Sequence, residues 1–274
     1  MDKNTRPAQD KLLLDYFLLV FVITVPFWVI GGSKLPLPIN LPASALATFN
    51  PFIAAAILTY RRERMHGVKA LLRRAVDFRK IPDKRWLLPA LLLMPLIYFL
   101  AFGVMRVTGL PLPDPIQVPL LVAPVLLVLF FITDAGEELG WTGYTTDPMQ
   151  NRWGAVKASF ILGVIWVIWH IIPFIQTGSP LKWIIGQSFY TLLLRMLIVF
   201  IYNRSGKSVF AANLVHVTSN LSWSLFPNYG SHYDPSVTGA ILLLTVIVAL
   251  TWGRISPQPL ITREGEPAVS PNQK

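Results

Sequence analysis

The chain has 274 residues, of which 53% are hydrophobic and only 14% charged. Soluble domains carry about 25% charged residues, so the composition excludes an ordinary soluble enzyme and indicates an integral membrane protein. The net charge of +10 does not mark a nucleic-acid binder, because the basic residues gather between apolar runs, as membrane topology requires. No nucleic-acid partner is expected, and membrane lipid is. There are no cysteines, which rules out disulfides, thiolate nucleophiles and cysteine metal sites.

A membrane helix needs about 20 mostly apolar residues. That rule predicts eight spans, at 12–31, 41–60, 86–107, 118–140, 154–175, 182–202, 207–226 and 236–253. The fold expected is therefore all-α, a polytopic bundle of about eight transmembrane helices. The first span ends in Gly31-Gly32-Ser33 rather than a small-residue cleavage pattern, so it reads as a retained anchor. Pro26, Pro51, Pro89, Pro95 and Pro124 are placed to kink their helices, with neighbouring helices re-satisfying the freed backbone groups.

Between the second and third spans, segment 61–85 begins Arg61-Arg62-Glu63-Arg64. It continues with Val68, Leu71, Leu72, Ala75 and Val76 at helical spacing, with Arg73 and Arg74 interleaved. A basic face of this kind is expected to lie on the anionic inner leaflet as a topology determinant. The tail 256–274 holds four prolines and is expected to be a disordered cytoplasmic extension, leaving 1–255 as one transmembrane domain. With the N-terminus inside, 20 of the 24 Lys and Arg fall in inside segments. Lys34 and Lys182 fall outside, and Arg106 and Arg195 within spans. That asymmetry predicts a plasma-membrane protein with both termini cytoplasmic.

Three polar clusters interrupt the apolar spans. The run Pro119–Thr133 has no charge, and then come Asp134, Glu137 and Glu138. Ionised groups at membrane depth are costly and need a partner, a watery cavity or a function. Adjacent residues on a helix point about 100° apart, so Glu137 and Glu138 cannot both face one reaction centre. One should face a cavity and the other a structural partner. In the second cluster Trp166 and His170 stand at i and i+4 and share a face. In the third, Asn213, His216 and Asn220 stand at i, i+3 and i+7, one helical stripe, which suits a cavity lining or interhelical hydrogen bonding. No His-Glu-x-x-His, Gly-x-Ser-x-Gly or phosphate-loop signature is present. His66 and His232 lie in loops and look incidental.

Together the three clusters resemble the CPBP family, the CAAX-processing and bacteriocin-processing intramembrane proteases also called the Abi family. Its pattern is Glu-Glu-x-x-x-Arg, then Phe-x-x-x-His, then His-x-x-x-Asn, on three helices of an eight-helix bundle. Glu137-Glu138 matches the first with Thr142 in the arginine place. Trp166 and His170 match the second with tryptophan for phenylalanine, and His216 and Asn220 match the third in full. The resemblance spans 118–226 and implies hydrolysis of a peptide bond in a hydrophobic or lipidated peptide. Carried over, Glu137 and His170 activate water, while His216 and Asn220 polarise the carbonyl. An imidazole and an amide can both donate to developing negative charge. The alternative is a divalent metal, since Glu137, His170 and His216 plus water would match a catalytic zinc site.

Thr142 carries no charge, so the second glutamate lacks the family's cation. Arg195, deep in the sixth span, is the candidate replacement, pairing with Glu138, Glu137 or Asp134. It could equally line a watery cavity or snorkel. Two other readings compete. One is a non-catalytic scaffold or bacteriocin-immunity protein that keeps the fold. The other is a transporter with a proton relay, which the absence of inverted repeats disfavours.

Overall fold

The computed structural model describes residues 6–31 and 43–255. Within them the helices are α1 (Arg6–Ile30), α2 (Asn50–Arg73), α3 (Leu87–Val107), α4 (Ala123–Gly140), α5 (Asp147–Trp153), α6 (Ala155–Gln176), α7 (Leu181–Arg204), α8 (Val209–Leu225), α9 (Pro227–Gly230) and α10 (Pro235–Ile255). The chain is an all-α membrane bundle. Its eight long helices correspond in order to the eight predicted spans, although α2 begins at Asn50 and runs to Arg73 where the predicted span is 41–60, and the predicted tail 256–274 lies outside the described residues.

Among the described residues six segments are long and apolar enough to cross a membrane: Asp10–Ile30, Lys84–Val107, Leu120–Trp153, Ala155–Gln176, Leu181–Arg204 and Pro235–Trp252. The other two long helices fall short for readable reasons. α2 carries Arg61, Arg62, Glu63 and Arg64 in its middle, and α8 is short, at 17 residues, and polar along one face. Leu14, Leu18, Val22, Val25 and Val29 recur every three or four residues on α1 and are exposed. Val107 and Leu121 are 89% and 97% exposed. Such surface suits lipid tails and would be unfavourable in water at about 25 cal/mol per Å².

α7 forms the centre, with 61% of its apolar window buried, and packs against α6, α8 and α10. α8 in turn packs on α3 and α4, and α4 on α2. Gly140 permits that last approach: a Cβ there would overlap the Pro51 carbonyl and the Tyr16 hydroxyl. Of the predicted kinks, only Pro26 and Pro95 lie inside helices. Pro51 and Pro124 occupy the first helical positions and Pro89 a first turn, where the missing N–H has no partner to lose.

The basic segment 61–85 is not a separate helix at its start. α2 continues through it to Arg73, with a break at Arg64 (φ 55°, ψ −157°). Beyond the break Gly67 and Leu71 are buried, so this stretch packs on the bundle by its apolar side. After Gly140, α4 widens into a π-helical segment, Trp141–Thr146, before α5 begins. Such widenings are rare and concentrate at functional sites.

Candidate active site

The last turns of α4 carry Asp134 to Gly140, and all seven residues are buried. The two adjacent glutamates diverge as helix geometry demands. Glu138 points between α7 and α8, where Arg195 Nη1 lies 2.8 Å from its Oε2 and both side chains are fully buried. His216 Nδ1 lies 2.9 Å from Oε1, and the Thr142 hydroxyl donates to Oε2 at 2.5 Å. Glu138 is thus fully engaged by three side chains from three segments.

Arg195 is held from below as well. Its guanidinium carbon lies 3.9 Å from the Trp166 ring centre, and its Nη1 is 3.3 Å from the Thr142 hydroxyl. Nε and Nη2 find no acceptor in the described structure, so the ring face is their main electrostatic compensation. A desolvated cation–π contact of this kind contributes about 2 kcal/mol. Arg195 therefore supplies a cation to Glu138 directly, arriving from another helix, with Thr142 beside the pair.

Glu137 points to the opposite side, toward α6. Trp166 Nε1–H donates to Glu137 Oε2 at 2.7 Å, so one tryptophan serves Glu137 by its edge and Arg195, the partner of Glu138, by its face. The Thr48 hydroxyl is 3.3 Å from Glu137 Oε1, but it has a closer acceptor in the Thr133 carbonyl at 2.9 Å. Oε1 is the less committed oxygen. His170 Nδ1 lies 2.9 Å from the Trp166 carbonyl. A carbonyl only accepts, so Nδ1 carries the proton and Nε2 presents the lone pair in the neutral ring.

Glu137, His170, His216 and Asn220 line a single cavity of about 180 Å³, with Trp166 in its wall. Asn213, from the same predicted stripe, does not line it. Its Nδ2 donates to the Phe131 carbonyl at 3.2 Å, tying α8 to α4. Asn220 Nδ2 donates to the Asp134 carboxylate, 3.0 Å from each oxygen, so Asp134 is a partner of Asn220. His66, which lies on α2 and not in a loop, and His232 are exposed and do not line this cavity.

The cavity also contains residues that sequence reasoning missed. Tyr98 donates to the Tyr190 hydroxyl at 3.0 Å, and Tyr190 is 2.6 Å from the Ser219 hydroxyl. Phe174, Trp183 and Trp223 are also in the wall. Ser219 stands three residues after His216, so helical spacing could have found it. Thr48 and the tyrosines lie on other elements, with no local pattern to betray them. Arg74 and Asp77 brace the site from the basic segment. Arg74 donates to the Gly143 carbonyl in the π-helical turn and to the Tyr202 hydroxyl. Asp77 accepts from Ser208 and the Phe210 amide at the start of α8.

Among the described residues no group of three or more His, Asp or Glu side chains is placed to hold a metal ion.

Residues 119–222 match the family described as type II CAAX prenyl endopeptidase Rce1-like. That stretch contains all three motifs and both glutamates. Among curated proteins, the chain is similar to the CAAX prenyl protease 2 of Methanococcus maripaludis, 27% identical over 232 residues, which covers 77% of this chain and 83% of that protein. The two matches bear out the resemblance carried by the motifs, and with it the reading of the chain as a membrane-embedded peptide hydrolase.

Proposed function

We propose that the protein is an intramembrane endopeptidase that cleaves a membrane-associated, lipidated peptide by a water activated at Glu137. The observation that supports this most is the division of labour between the two glutamates. Glu138 is locked by Arg195, His216 and Thr142, while Glu137 faces a cavity shared with two histidines and an amide. A purely structural pair would not need its neighbour turned into a polar chamber inside an apolar bundle.

In the proposed step, Glu137 takes a proton from a water held between its Oε1 and His170 Nε2. The hydroxide adds to the scissile carbonyl carbon. Negative charge on the carbonyl oxygen is met by one N–H from Asn220 and by Nε2–H of His216, whose ring is the imidazolium in this step because Nδ1–H also donates to Glu138. An amide nitrogen carries two hydrogens, and a contact to both oxygens of Asp134 uses one of them. Glu137 then passes its proton to the leaving amine as the C–N bond breaks, giving a carboxylate and a free amine. The step is proposed without a metal.

The cavity is small beside the roughly 300–1,000 Å³ of drug-sized ligand sites. It suits the reacting peptide segment, with a lipid anchor remaining in the bilayer. A prenylated peptide is the substrate class that the relatives' names suggest. The basic-end asymmetry supports a plasma-membrane location with both termini in the cytoplasm and one transmembrane domain over 1–255.

The test is cleavage of a farnesylated reporter peptide by purified protein in liposomes. Cleavage by the native chain, its loss in Glu137→Gln and its persistence with a chelator would support this reading. Chelator-sensitive cleavage would overturn the metal-free step. No cleavage of prenylated or other lipidated peptides would overturn the substrate class.

A further inference from the structure

A second cavity, about 420 Å³, lies at the basic end of the bundle between α6, α7 and α10 and shares no lining residue with the candidate active site. Its apolar wall includes Met196, Phe200 and Leu250, and its rim includes Asn203, Arg204 and Lys207. Among the described residues Arg204 is not set against a carboxylate. Its guanidinium carbon lies 5.1, 5.5 and 5.9 Å from the ring centres of Trp252, Phe200 and Trp86. Indole rings at the end of apolar helices mark the level of lipid head groups. Lys207, about half exposed, lies 3.1 Å from Asp147. The rim therefore holds two cations against one carboxylate.

The shape and charge together restrict the occupant. A free anion would leave the apolar wall unfilled, and an uncharged lipid would leave the rim cation unpaired. Basic pockets between membrane helices dock anionic head groups. We propose that this groove binds an anionic phospholipid, with acyl chain along α7 and α10 and phosphate between Arg204 and Lys207.

The position gives the lipid a structural consequence. Asn203 and Gln150 exchange two hydrogen bonds, of 3.1 and 3.0 Å, joining α7 to α5. Asp147, at the start of α5, pairs with Lys207 in the turn leading to α8. The groove rim is thus the seam between the segment following Glu138 and the helix carrying His216. A phosphate seated there would compete with Asp147 for Lys207 at that seam.

The test is a lipid titration of the purified full chain in detergent, read by native mass spectrometry. Phosphatidylglycerol is compared with phosphatidylcholine of the same acyl chains, and glycerol 3-phosphate serves as the head-group-only probe. Native protein should retain phosphatidylglycerol in preference to phosphatidylcholine. Arg204→Gln and Lys207→Gln should each weaken that binding by about fivefold, while Arg85→Gln, exposed and paired with Asp83, should leave it unchanged. Should Arg204→Gln fail to fold once its ring contacts are lost, exposed Lys207→Gln carries the comparison. Equal retention of both lipids, or undiminished phosphatidylglycerol binding in Lys207→Gln, would overturn the proposal. Glycerol 3-phosphate binding as tightly as the lipid would overturn it too, revealing a soluble-anion site.

Discussion

Arg195→Leu strands a charge. Glu138 and Arg195 sit 2.8 Å apart with neither side chain exposed, and removing one partner of such a buried pair costs about 3–5 kcal/mol. His216 and Thr142 still donate to Glu138 in the variant, which puts the expected loss near the lower figure, about 3 kcal/mol. Replacing both charges with apolar groups is often close to neutral. Arg195→Leu/Glu138→Leu should therefore be more stable than the sum of its single variants by about 2 kcal/mol. The assay is reversible unfolding in mixed micelles, run on the native chain, both single variants and the double variant. A third background is informative. Adding Thr142→Arg to Arg195→Leu returns an arginine to the position four residues after Glu138 on the same helix, and should recover part of the loss. Native stability in Arg195→Leu, or strict additivity in the double variant, would refute the claim that this pair holds the second glutamate.

Glu137→Gln keeps the acceptor for Trp166 Nε1 but removes the base, so hydrolysis should fall by at least about 100-fold with unfolding unchanged. Asn220→Ala takes the donor from a buried Asp134; a destabilisation of about 1–3 kcal/mol and a lower kcat are expected in the same preparation. Asn213→Ala, which loses only a tie to the Phe131 carbonyl, should lower stability without touching kcat in the folded fraction. Gly140→Ala should cost about 1–3 kcal/mol by overpacking where α4 meets the Pro51 carbonyl, seen as a lower melting temperature.

The helices were legible in the sequence because lipid imposes one solution: each apolar run must satisfy its own backbone. The divergence of Glu137 and Glu138 was legible from the helical period alone. Arg195 could be named as a candidate partner because a buried cation demands compensation. Its choice of Glu138 could not be read, since that depends on how α7 rotates against α4. Asn220 shows the opposite limit. Its stripe placed it at the cavity, yet the Asp134 contact joins residues 86 apart, beyond any local pattern. Pro51, Pro89 and Pro124 were misplaced as kinks because a proline's effect depends on where the helix starts, and boundaries are what periodicity fixes least. The π-helical turn left no signal in the local pattern of residues.

The central claim is that Glu137 is the working carboxylate of a membrane protease. The most direct measurement compares peptide termini in membranes from cells expressing the native chain or Glu137→Gln at matched levels. The account predicts new termini with the native chain that are absent with the variant, and those termini identify the substrate. Identical termini, with both proteins correctly inserted, would contradict it and leave the polar chamber as the remnant of a non-catalytic scaffold.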